Sequence, residues 1–72
     1  MNEITIKTEF IKLQQLLKLA GIVPQGSDAK LYIKNGEVKV NGIVVTERGK
    51  KIYSGDIVTI QNIGELKVAQ KQ

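Results

Sequence analysis

At 72 residues, with 42% hydrophobic and 25% charged positions, the chain has the size and composition of one soluble globular domain with a small core, neither disordered nor fibrous. It contains no cysteine and no histidine, which excludes disulfides and thiolate metal sites and removes the commonest general base and metal ligand. The formal net charge of +4 lies within residues 30–51: Lys30, Lys34, Lys39, Arg48, Lys50 and Lys51 face only Glu37 and Glu47 there, while five cations and five anions balance elsewhere.

In chain order, Ile4-Thr5-Ile6 alternates apolar and polar and predicts a short strand. Thr8 is placed to N-cap a helix over about 9–20, with Phe10, Leu13, Leu16, Leu17 and Ala20 on one stripe and Gly21 as its stop. Residues 22–26, with Pro24 and Gly26, form a connector. Ser27 is a second N-cap, and Asp28 sets negative charge in the first turn of a helix over about 28–34 that turns Ala29, Tyr32 and Ile33 inward and ends at Asn35-Gly36.

Glu37–Val40, Asn41-Gly42 and Ile43–Thr46 carry the strongest local signal. Asn-Gly between two β-branched runs predicts a two-residue type I′ hairpin. That turn pairs Val40 with Ile43 and Val38 with Val45 on a face expected to be buried, and leaves Lys39 in solvent. Glu47–Lys51 reads as a basic loop, Ser54-Gly55-Asp56 as a turn, Ile57–Ile60 as a strand and Leu66–Val68 as a last short strand, with residues 69–72 a flexible tail. The pattern predicts a single α+β domain over 1–72, with two adjacent short helices packed on a small, mostly antiparallel sheet.

Lys30 and Lys34 are four residues apart on the second helix and share a face, at a cost of a few tenths of a kcal/mol that an anion would reverse. Only Asn35-Gly36 separates that helix from the hairpin. Helix, hairpin and loop 47–51 are therefore expected to form one continuous positive surface for a polyanion. Aromatic content is low. Phe10 and Tyr32 fall at helical apolar positions and are assigned to the core, and Tyr53 has no assignment from pattern alone. Few platforms for base stacking mean recognition of phosphate backbone and shape, as in folded RNA.

Lys12–Leu17, Ala20-Gly21, Ser27–Lys30, Ile33, Asn35–Gly42 and Gly55–Val58, in this order and spacing, resemble the S4 RNA-binding domain family over about Phe10–Ile60. The additional Arg48-Gly49-Lys50-Lys51 is similar to the small stand-alone bacterial members. The resemblance implies an RNA-binding surface formed by two helices and the following hairpin. It implies structured RNA as partner, ribosomal RNA first and transfer RNA second, and a role on a ribosomal particle in large-subunit maturation. By the same resemblance Lys12, Lys30, Lys34, Lys39, Arg48, Lys50 and Lys51 are the RNA-binding residues. Gln14 stands where an aspartate is common, and Gly26 where many members carry an RNA-contacting arginine. Larger enzymes of the family carry this domain as an accessory, so no catalysis, cofactor or metal is expected.

No apolar run approaches the ~18 residues needed to cross a bilayer, and no basic-then-apolar leader opens the chain, so a cytoplasmic monomer away from membranes is expected. Two other readings stay open. A basic face could serve a protein-interaction adaptor with an acidic partner. A ubiquitin-like sulfur carrier has similar length but needs a C-terminal Gly-Gly, where this chain ends Ala69-Gln70-Lys71-Gln72. DNA remains a competitor, because phosphate contacts alone discriminate poorly.

Overall fold

A computed structural model describes residues 2–22 and 26–71, with the side chains of residues 2 and 26–28 outside that description. Nine elements follow one another: β1 (Asn2–Ile6), β2 (Phe10–Lys12), α1 (Leu13–Leu19), α2 (Gly26–Lys34), β3 (Val38–Val40), β4 (Ile43–Val44), β5 (Lys51–Tyr53), β6 (Ile57–Ile60) and β7 (Gly64–Gln70). Five strands form one sheet in the order β1-β7-β6-β3-β4, antiparallel throughout except for the parallel β1–β7 pair. β2 and β5 make a separate two-stranded antiparallel ribbon.

Alternation along the strands sorts the sheet into two faces. Val38, Val40, Val58, Ile60, Leu66 and Val68 are buried, and they join Leu13, Leu16 and Leu17 of α1, Ala29 and Ile33 of α2, Ile52 and Ile6 in a single apolar core. Lys39, Thr59 and Glu65 share a row on the other face, in solvent or half-buried. The architecture is the expected one of two helices on a mostly antiparallel sheet.

The first helix is shorter than its apolar stripe. Residues 10–12 are extended and pair with β5, because Ile11 gains a cross-strand partner in Ile52 that a helical turn would forgo. Thr8 caps nothing there. Its hydroxyl donates to the Phe10 carbonyl at 2.7 Å. No side chain caps α1 either. Instead the Leu13 N–H donates to the Lys50 carbonyl at 2.8 Å and the Gln14 N–H to the Arg48 carbonyl at 3.1 Å, so two of the helix's unpaired donors are met by the basic loop.

Both helices stop where expected. After α1 the Gly21 and Ile22 N–H groups donate to the Lys18 and Leu17 carbonyls, and after α2 the Gly36 and Glu37 N–H groups donate to those of Ile33 and Tyr32. This is the paired bond pattern of a Schellman ending, which needs the left-handed backbone that Gly36 adopts at φ 76°. α2 itself begins at Gly26, so Ser27 and Asp28 lie within the helix rather than ahead of it. Their capping roles, and Pro24 of the connector, lie outside the described residues.

The hairpin forms as its turn residues require. Asn41 and Gly42 both take positive φ, 52° and 84°, and Val40 pairs with Ile43. The burial of its face is uneven, however. Val38 and Val40 are buried, while Ile43 is 70% exposed, because β4 is the outermost strand of the sheet. At the other end β7 is longer than expected. Ala69 and Gln70 pair with Thr5 and Ile6, and the Lys71 N–H donates to the Ile6 carbonyl at 2.8 Å, so this part of the expected tail is strand.

Candidate nucleic-acid interface

α2 presents Lys30 and Lys34 one turn apart, both exposed, on a flank beside buried Ala29 and Ile33. The loop after β4 comes to meet them. Lys30, Lys34, Thr46, Glu47, Arg48 and Gly49 line one open basin of about 530 Å³. The two carbonyl bonds that cap α1 hold this loop in place, since Arg48 and Lys50 can accept from α1 only if the loop lies across its N-terminus. Three cations therefore border the basin with one carboxylate, Glu47. They offer charge and hydrogen-bond donors, and Arg48 adds a planar fork suited to phosphate.

The other expected site residues divide. Lys12 and Lys51 stand opposite each other across the β2–β5 ribbon, both exposed. Lys50 and Lys51 line a second concavity with Val40, Asn41, Ile43, Val45, Tyr53 and Asp56. Lys39 is not brought to the basin. It lies on the sheet face turned away from Val38 and Val40, in a separate depression with Gly36, Glu37, Thr59 and Gln61. The reason is the pleat: with Val38 and Val40 committed to the core, the residue between them must point the opposite way. The single continuous surface expected from helix, hairpin and loop is thus a basin with a neighbouring ribbon, and Lys39 stands apart.

Asn41 and Asp56 hold the hairpin turn against the turn before β6. The Asn41 side-chain amide donates to Asp56 at 3.1 Å, the Ile57 N–H donates to the Asn41 side-chain oxygen at 2.9 Å, and the Tyr53 N–H donates to the Asp56 carboxylate at 2.8 Å. Asp56 is a structural turn residue, as its place after Gly55 suggests. Among the described residues no group of three or more carboxylates comes together.

The β2–β5 ribbon was not expected, and it changes the surroundings of the aromatics. Phe10 leaves the helical stripe and pairs with Tyr53, ring centroids 5.9 Å apart at 50°, while the Lys51 ammonium sits 4.9 Å from the centre of the Phe10 ring. The sequence signal was Lys51-Ile52-Tyr53, polar, apolar, amphipathic, a strand alternation too short to stand out beside the charges of the loop. Tyr32 keeps its expected place, half-buried against the core.

Comparisons with known proteins agree with this fold. A family model described as S4 domain matches residues 4–69. RlbA of Bacillus subtilis (strain 168), named as a candidate ribosome maturation protein, is 43% identical over 67 residues, 93% of this chain and 94% of RlbA. YbcJ of Escherichia coli (strain K12), named as a candidate RNA-binding protein, is 42% identical over 53 residues, 74% of this chain and 76% of YbcJ. The solution structure of YbcJ, whose title reports a motif involved in RNA binding, superposes with a TM-score of 0.74 over 96% of this chain and 87% of that one, at 34% identity. The C-terminal domain of a tyrosyl-tRNA synthetase shares the fold, with a TM-score of 0.79 at 20% identity over 99% of this chain and 79% of that domain. A full-length tyrosine–tRNA ligase, from Ralstonia nicotianae, is spanned for only 12% of its length by its match to 67% of this chain.

Proposed function

Because this chain belongs to the S4 domain family, we propose that it is an RNA-binding protein that grips folded RNA through the basin between α2 and the loop at residues 45–50. The observation that carries the reading is the convergence of Lys30, Lys34 and Arg48 on one basin from segments 14 residues apart. The main-chain bonds to α1 place the loop there, but they do not require its side chains to be basic, and its like charges repel in the free protein. A phosphate chain relieves the repulsion and releases counterions as it binds.

Lys12, Lys50 and Lys51 extend the charge along the neighbouring ribbon and are taken as further backbone contacts. Lys39, on the far face, contributes to the field and not to the footprint. The partner that fits the relatives best is ribosomal RNA, with a role in maturation of the large subunit, in the cytoplasm and without catalysis. Transfer RNA is the second candidate, since the ligases that share the fold act on it.

Crosslinking the protein to RNA in cells and sequencing the attached fragments tests this. Enrichment of large-subunit ribosomal RNA, lost in the Lys30→Glu, Lys34→Glu double variant, is the expected result. Recovery of acidic proteins with no RNA above background would replace the reading with that of an adaptor.

A further inference from the structure

The ribbon carries a second, different chemistry. Ile11 and Ile52 face the core, so the residues flanking them, Phe10 and Lys12 on β2 and Tyr53 and Lys51 on β5, share the outward face. Two of the three aromatic residues and two lysines thus meet on a patch two residues long. Resting on the RNA-binding reading above, we propose that this patch is a platform for one unpaired nucleotide of the bound RNA, with the base stacked on Tyr53 and its phosphate held between Lys12 and Lys51.

Three observations carry it. Tyr53 is 43% exposed although it touches Phe10, so part of the ring is open to a ligand. Lys12 and Lys51 lie directly across the ribbon from each other, a like-charge pair that costs stability unless an anion comes between them. Lys51 spends that unfavourable position lying over the Phe10 ring, a contact it can exchange for a phosphate without losing a core interaction. Asp56, which lines a concavity with Lys51, is held in place by the Tyr53 N–H and the Asn41 side-chain amide.

The platform adjoins the basin. The chain runs from Arg48 at the basin to Lys51 and Tyr53 on the ribbon, and the Lys50 carbonyl between them is fixed to α1. A strand advances roughly 6.6 Å in two residues, so aromatic and lysine pairs are spaced for the base and phosphate of one nucleotide. A duplex gripped at the basin would place its first unpaired residue here. Stacking on an aromatic side chain tolerates any base, so the platform selects for an unpaired residue and not for a sequence.

The test compares two RNA hairpins with the same stem, one blunt and one with a five-nucleotide uridine overhang. The wild-type protein is expected to bind the overhang form about five- to tenfold more tightly, and Tyr53→Leu to lose that gain while binding the blunt stem as before. Tyr53→Phe, which keeps the stacking face, is expected to retain it. In a Tyr32→Phe background Tyr53 is the one tyrosine left, and its emission should be quenched by the overhang form and not by the blunt one. Equal affinity for the two hairpins, or an equal loss for both in Tyr53→Leu with the fold intact by circular dichroism, overturns the platform and leaves the basin standing. Absence of binding to either hairpin removes both.

Discussion

Lys30 and Lys34 repel each other on α2 by a few tenths of a kcal/mol, and Arg48 adds a third cation to the same basin. Exchanging both lysines for glutamate leaves the buried face of α2 untouched, so the melting temperature should hold while RNA binding weakens. The salt slope of binding should shrink by roughly two units, one for each lost phosphate contact. Titrations at several salt concentrations read both quantities, and an unchanged slope would take α2 out of the interface. Asn41 is a residue of the opposite kind, structural and not electrostatic. Asn41→Gly keeps the left-handed turn and deletes the side-chain bonds to Asp56 and Ile57, so it should cost about 1–2 kcal/mol in urea unfolding with RNA affinity intact.

At the scale of elements, what a short segment decides by itself was legible in the sequence. Asn41-Gly42 fixes the hairpin because both residues tolerate positive φ, and Gly21 and Gly36 end their helices for the same local reason. The ribbon was not legible. Its strands are three residues each and about forty apart in the chain, so neither shows a period and only the fold brings Ile11 to Ile52. The N-terminus of α1 escaped for another reason. Its partners are the main-chain carbonyls of Arg48 and Lys50, and a carbonyl leaves no trace in the residue type. The same limit hid the extent of β7, whose last residues, Ala69 and Gln70, are ordered by pairing with β1. Removing residues 69–72 should therefore destabilise the domain by about 2–4 kcal/mol, the worth of a few backbone bonds and the docking of β1. A truncated chain with an unchanged unfolding midpoint would show that the pairing contributes nothing.

For the whole molecule, one small core sets the faces. Val40 is 6% exposed on the inner face of the sheet, and an aspartate there would bury an unpaired charge. Val40→Asp should unfold the domain, visible as lost near-ultraviolet and amide dispersion, whereas Lys39→Asp next to it should not. The same core separates the cations onto two sides. The sheet's outer face keeps Lys39 beside Thr59, while the helix side gathers Lys30, Lys34 and Arg48 and the ribbon adds Lys12 and Lys51. How the positive stretch divides between the two sides was half legible: alternation put Lys39 in solvent, but which solvent-facing side it took depended on where the helices packed.

The most direct measurement is the affinity of a large-subunit ribosomal RNA fragment for the wild-type protein and for the Lys30→Glu, Lys34→Glu, Arg48→Glu triple variant between 50 and 200 mM salt, concentrations chosen as in ordinary counterion analysis. Wild-type binding should fall steeply with salt, and the triple variant should bind weakly with a slope smaller by about two to three units. Equal affinities and equal slopes for the two proteins would contradict the account.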